Sequence, residues 1–240
     1  MIDFVSLPQK APEYDLRELL EAGAHFGHQA KRWHPKMAKW IFSEKDGVHI
    51  FDLAKTAAQL QVAYNYAFDL GQKGKTLIIV GTKKQAREVI KEEAAAAQLM
   101  TITSRWLGGL LTNWEQVSKS LRRMLDIERG LKEGKFDKYT KRERVLLDKE
   151  RQRLERFFGG IRELKGKPDA LFIVDPGREK VAVFEAERTG LPMMAIVDSN
   201  TNPEAIDIPI PANDDAVRSI TYIIKAVIAG YLAGKSVATK

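Results

Sequence analysis

The sequence predicts an α/β protein: a doubly wound parallel sheet with an antiparallel helical hairpin inserted into it. Three observations carry this. Runs of β-branched and apolar residues at 76–80, 170–174 and 193–197 alternate with segments of helical periodicity, as parallel strands buried on both faces do. Two helical segments between 112 and 165, each opening on a threonine, interrupt the alternation. A length of 240 residues, 44% of them hydrophobic, suffices for one well-buried core plus an appendage. The α/β unit therefore takes residues 1–111 and 166–240, and the hairpin 112–165.

Taken in order, residues 14–24 read as a short amphipathic helix with Leu16, Leu19 and Leu20 on one side and Gly23 near its end. An aromatic and basic loop follows. Residues 40–42 and 48–51 read as two short strands around Lys45-Asp46-Gly47, where Asp-Gly is a hairpin turn. Residues 53–70 have helical spacing and stop at Gly71 and Gly74. The strand at 76–80 closes on Gly81, a helix spans 84–99, and a shorter strand spans 100–103. Beyond the insert, a strand at 170–174 ends at Asp175-Pro176-Gly177, a helix runs to Glu187, and a strand at 193–197 ends at Asp198. Residues 206–210 form a last strand broken by Pro209. The final helix, 214–232, is apolar over much of its surface and is expected to pack on the sheet.

Within the insert, Thr112 with Glu115 and Thr140 with Glu143 each have the spacing of a capping box. Trp114, Val117, Leu121 and Met124 recur at three- and four-residue steps. Leu147, Leu154 and Ile161 lie seven apart, with Phe157 between. Gly134 is a plausible stop between the two helices. These features describe a coiled-coil hairpin, each arm roughly 30 Å long at 1.5 Å per residue, projecting from the domain.

Charge narrows the function. The chain carries a formal +7, and residues 121–165 alone hold fifteen Lys or Arg against nine Asp or Glu. A basic stripe along two helices is the footprint of a surface that meets a polyanion. No apolar run approaches the roughly 20 residues of a membrane span, and no basic segment followed by an apolar one opens the chain. With no cysteine, disulfides and thiolate metal sites are excluded, and a cytoplasmic location is expected.

Catalytic signatures are sparse. Gly74-Lys75-Thr76 lacks the first glycine of a phosphate-binding loop and precedes its strand. Gly81-Thr82-Lys83-Lys84 follows a strand and opens a helix, so Lys83 and Lys84 suit a phosphate, although a plain turn with solvated lysines reads equally well. There is no G-x-G-x-x-G, G-x-S-x-G or H-E-x-x-H. All four histidines fall between 25 and 49, without zinc-finger spacing. Asp198 ends a strand and Asp214 starts the last helix, where ligands of such folds collect. With His28 from the neighbouring loop they would make a site for one divalent cation. The competing reading has Asp214 or Asp215 as a helix cap and Asp198 holding the turn after it. The stretch 29–40 sets Lys31, Arg32, Lys36 and Lys39 among Trp33, His34 and Trp40, a mixture suited to unpaired RNA. Arg105, beside the Gly108-Gly109 pair, is expected to reach phosphate. The same is expected of Arg122, Arg123, Lys141 and Arg142 on the hairpin.

Several of these segments carry a family resemblance. Residues 22–29 (AGAHFGHQ), 33–37 (WHPKM), 105–114 (RWLGGLLTNW), 168–175 (PDALFIVD) and 195–200 (AIVDSN) closely resemble, in the same order, the family that supplies the second protein of the small ribosomal subunit, in its bacterial form. The resemblance implies a flavodoxin-like (Rossmann-like) sheet with a long inserted hairpin, bound on the solvent side between head and body of the subunit. It implies 16S rRNA and neighbouring ribosomal proteins as partners, among them the large mRNA-binding protein, with no membrane or DNA partner. No enzymatic activity and no required cofactor follow from it. The competing class is an enzyme on a nucleotide or phosphorylated metabolite at the strand ends, using residues 81–84 and Asp198. A free DNA-binding regulator ranks last, since no helix-turn-helix signature is present.

Overall fold

The computed structural model describes residues 2, 4 and 6–238. Residues 1, 3, 5, 239 and 240 of the predicted α/β unit lie outside the described residues. Helix α1 (Leu16–Glu21) is shorter than its periodicity suggested, because the Asp15 side chain accepts from Arg17 N and starts it there. A three-stranded antiparallel sheet follows, built from β1 (Phe26–Gln29), β2 (Ile41–Lys45) and β3 (Val48–Phe51) in the order β1-β3-β2. The predicted turn is present, with Asp46 and Gly47 at φ 53° and 74°, the left-handed pair a two-residue hairpin turn needs. Strand β1 falls where the sequence alone reads as loop. Its four residues, one of them glycine, carry no alternation, and pairing with β3 is what extends them.

After α2 (Leu53–Gln72) the chain enters a five-stranded sheet. Its elements are β4 (Leu77–Val80), α3 (Lys84–Ala96), β5 (Met100–Ile102), α4 (Trp114–Lys132), α5 (Lys141–Phe158), β6 (Ala170–Val174), α6 (Lys180–Thr189), β7 (Met193–Val197), β8 (Ile208–Pro211) and α7 (Val217–Ala238). The order β5-β4-β6-β7-β8 is parallel throughout. Counting only these five strands, that is the flavodoxin-like order 2-1-3-4-5. Pro209 and Pro211 are tolerated because β8 is an edge strand.

The two faces of the sheet are covered differently. Leu77, Ile79, Phe172 and Ile196 face α2, α3 and α7. Ile78, Val80, Leu171 and Ile173 face α6, the loop carrying Trp106, and the base of the insert. Contrary to the expectation that no apolar run is long enough, helix α7 could cross a membrane by length and composition. It packs instead along α2, and backbone contact at Gly71, Gly230 and Gly234 explains the small residues: a Cβ at Gly234 would overlap the Phe68 carbonyl oxygen.

The insert begins on the domain rather than away from it. Val117, Leu121 and Met124 of α4, and Phe158 and Ile161 beyond them, belong to the second core. Farther out, Val145 and Leu146 of α5 are exposed. Arg123 makes a two-pronged ion pair with Glu150 between the two helices. The Thr140–Glu143 capping box forms, and Gly134 takes φ 72° after α4. The Thr112–Glu115 box does not form: α4 starts at Trp114 with no side-chain cap, because Thr112 bonds Glu185 instead.

Candidate functional site

The strand order reverses between β4 and β6, and the crevice outside their carboxyl ends is where ligands of this fold bind. Here Gly81 follows β4 because a Cβ would lie 2.5 Å from the Ile90 Cδ1. Lys83 comes next, and it is buried. Its Nζ lies 2.6 Å from Asp214 Oδ1, 2.5 Å from Asp215 Oδ1 and 3.6 Å from Asp175 Oδ2. The two lysines of the turn thus part ways: Lys84 is exposed, while Lys83 is spent on three carboxylates and is not offered to a polyanion. Burial opposes its charge, and the neighbouring Asp214 and Asp215 more than offset that, raising its pKa.

Asp198, at the end of β7, organises the other half of the crevice. Its Oδ1 accepts from Ser199 N (2.6 Å) and His28 N (3.1 Å) and lies 2.9 Å from His28 Nδ1; its Oδ2 accepts from Asp214 N (3.3 Å). The Asp198 hydrogen bond raises the His28 pKa, against burial and with help from the charges of Asp198, Asp214 and Asp215. Burial, with the charges of Asp198 and Asp175, pushes Asp214 up to about 7, against the pull of Lys83. The turn before α7 is held by Asn213, whose side-chain oxygen accepts from Asp215 N and Ala216 N. Asp214 is therefore free of the capping duty considered for it, and its Oδ2 is buried with no hydrogen-bond partner among the described residues. One ligand atom from each of His28, Asp198 and Asp214 fits within 4.8 Å of the others, so the structure brings together the three residues read as a cation site.

The position beside the β4–α3 turn is also filled from within. Thr82 N donates to Glu179 Oε1 at 3.1 Å, and the Thr82 hydroxyl donates to the same oxygen. A carboxylate of the chain itself thus sits where a ligand phosphate would accept from the turn.

A second buried acid was missed entirely from the sequence. Glu185 of α6, 4% exposed, accepts from Trp106 Nε1 (3.2 Å), Gly109 N (2.7 Å), Leu111 N (3.0 Å), Thr112 N (3.3 Å) and Thr112 Oγ1 (3.2 Å). Burial alone would raise its pKa, but these donors reverse that and hold it below the usual carboxylate range. One side chain therefore fixes the loop that carries Arg105.

The basic residues named from the sequence lie mostly on the surface. Lys31, Arg32 and Lys39 are exposed, with Lys39 Nζ 5.0 Å from the Trp40 ring centre, while Lys36 is paired with Glu204. Trp33 is exposed and its ring meets that of His49 at a tilt of 54°, 5.1 Å centre to centre. On the insert Arg123 is paired internally and Arg122 bonds Ser118. Lys138, Lys141, Arg142 and Lys149 have no acidic partner within 4.0 Å among the described residues. Arg105 is exposed at the mouth of a cavity shared with Arg87 and Arg178. The signal for Arg178 was its place in the turn after a parallel strand, Asp175-Pro176-Gly177-Arg178. Nothing local marked Arg87. A family model described as ribosomal protein S2 matches residues 19–234 of the chain.

Proposed function

We propose, for a chain that belongs to the ribosomal protein S2 family, that its place in the small ribosomal subunit is the one expected of the bacterial form. There it lies between head and body in the cytoplasmic ribosome, bound to 16S rRNA and to neighbouring proteins, and helps dock the large mRNA-binding protein. The family match over residues 19–234 carries this reading. Two surfaces support it. One is the stretch 29–40, whose Lys31, Arg32 and Lys39 stand exposed beside Trp33 and Trp40. The other is the α4–α5 arm, a coiled-coil hairpin on its heptad spacing, with Lys138, Lys141, Arg142 and Lys149 free to meet phosphates. Recognition is through RNA shape and backbone charge more than base edges.

The protein acts without catalysis on this reading. In its support, the crevice of the sheet is occupied by the chain's own ions: Lys83 with Asp214, Asp215 and Asp175, and Glu179 on Thr82. A single divalent cation held by His28, Asp198 and Asp214 is a structural element of the same proposal. The nitrogen and oxygen donor set suits zinc, and the unpartnered Asp214 Oδ2 supports it. Calorimetric titration with zinc chloride should give one site that Asp214→Asn abolishes; heat unchanged by the substitution would remove the ion from the proposal.

The primary test is sedimentation of the tagged protein from lysate on sucrose gradients at low and high salt, with an RNase-treated control. Co-migration with small subunits, lost on RNase treatment, is the expected result. Migration as a free protein under every condition would overturn the reading.

A further inference from the structure

Arg87 of α3, Arg105 of the loop after β5 and Arg178 of the turn after β6 line one cavity of about 480 Å³, with Thr82, Ser104, Trp106, Gly108, Glu179 and Val181 making up the rest of its wall. They come from three separate segments, so no local sequence rule assembles them. Two are oriented by a single residue. Arg87 Nε donates to the Thr82 carbonyl at 2.7 Å, and Arg178 Nε donates to Thr82 Oγ1 at 3.2 Å. Each guanidinium is thus gripped at its inner nitrogen, and its terminal Nη groups are left over. Among the described residues, no Nη of Arg87, Arg105 or Arg178 meets a protein acceptor or forms an ion pair.

Among the described residues the only acid in the wall is Glu179, whose Oε1 is engaged by the Thr82 amide and hydroxyl. Three guanidinium charges against one committed carboxylate make a cationic cavity, and Thr82 has already removed much of the entropy of placing two of them. The planar donor fork of arginine matches the oxygens of a phosphate two at a time. Its wall comes from the segments that follow β4, β5 and β6, and it shares Thr82 and Glu179 with the crevice described above.

We propose that this cavity is a phosphate-binding site, receiving a phosphate ester on the Nη groups of Arg87, Arg105 and Arg178. Arg105 supplies the third fork from the loop that Glu185 holds. Val181, exposed at the rim, gives an apolar shelf for the organic part of the ester. Two sources share this chemistry, an rRNA phosphodiester and a free phosphorylated ligand. The first rests on the ribosomal reading above; the phosphate site itself does not.

The test uses the full chain with sodium pyrophosphate as probe, following the arginine Nε–Hε resonances at low salt. Saturable shifts at Arg87 and Arg178 are expected. The double variant R105Q/R178Q should bind about a hundredfold more weakly, about tenfold for each charged donor removed. The variant R129Q/R153Q removes the same charge from exposed sites elsewhere and should leave the shifts intact. Shifts that do not saturate, or that both variants weaken alike, overturn the proposal; a thermal melt confirms that R105Q/R178Q is folded, and single R105Q, which touches no Thr82 contact, decides if it is not. Salt elution from purified small subunits then identifies the source. A log–log salt dependence shallower by about one per arginine in R105Q/R178Q assigns the site to rRNA. An unchanged salt dependence, with pyrophosphate binding lost, assigns it to a free phosphorylated ligand. Failure of the wild-type chain to co-sediment would sink the ribosomal reading and leave the pyrophosphate result standing.

Discussion

Replacing Glu185 by alanine would strip five hydrogen bonds from one loop, and their donors set the scale of the loss. Gly109 N, Leu111 N, Thr112 N and Trp106 Nε1 lose their acceptor, while the Thr112 hydroxyl can turn elsewhere. Each buried donor left without a partner costs about 1–3 kcal/mol. Water entering the vacated space satisfies one or two of them, so the net loss should be about 3–5 kcal/mol. In urea, with a slope of about 2.5 kcal/mol/M, that lowers the midpoint by roughly 1.2–2 M. Glu185→Gln keeps one acceptor oxygen but turns an amide NH₂ toward Leu111 N and Thr112 N, and should cost about 2–3 kcal/mol. The pH dependence has a definite sign. The folded pKa is depressed, so Glu185 contributes fully above its unfolded value of about 4.3, and the contribution is lost as pH falls through the folded pKa. The gap between wild type and Glu185→Gln should be open at neutral pH and narrow below about pH 4. Urea midpoints within 0.2 M of wild type at neutral pH, roughly 0.5 kcal/mol on this slope, would refute the assignment of Glu185 as the anchor of the loop.

Further outcomes follow from the packing and from the ions. Gly234→Ala places a methyl against the Phe68 carbonyl, forces α2 and α7 apart and should lose about 3 kcal/mol in the same urea assay. Lys83→Met leaves Asp175, Asp214 and Asp215 without their shared cation and should cost about 3 kcal/mol, whereas Lys84→Met, at an exposed position, should stay within about 0.5 kcal/mol. Equal melting of the two variants would contradict the buried role of Lys83. Changing Lys138, Lys141, Arg142 and Lys149 together to glutamine should lower the salt concentration at which the protein leaves small subunits, with no change in its melting temperature; unchanged elution would take the arm out of RNA contact.

Much of the architecture was legible because it is decided within a few residues. The strand runs at β4, β6 and β7, the Asp46-Gly47 turn and the Thr140–Glu143 box all depend on backbone preferences and near neighbours, and each forms as read. Thr112 shows the limit of that logic. It has the same spacing to Glu115 that Thr140 has to Glu143, yet it bonds Glu185, more than seventy positions away, because a buried carboxylate outcompetes a solvated one for the hydroxyl. The basic stripe and the family motifs are visible as text, and the proximity of His28, Asp198 and Asp214 is legible because strand ends and helix starts are where this fold gathers polar groups.

What the sequence alone determined, then, is the alternation of elements, the excess of positive charge and the membership those motifs signal. Tertiary structure alone decided which charges are available. Lys83 and Lys84 are adjacent and identical in type, but the crossover from β4 to β6 and the return of the chain through Asp214 bury one among carboxylates and leave the other in water. The same crossovers bring Arg87, Arg105 and Arg178 around Thr82. No periodicity encodes such a meeting, because it depends on β4 and β6, neighbours in the sheet whose paired residues, such as Leu77 and Ala170, are far apart in the chain.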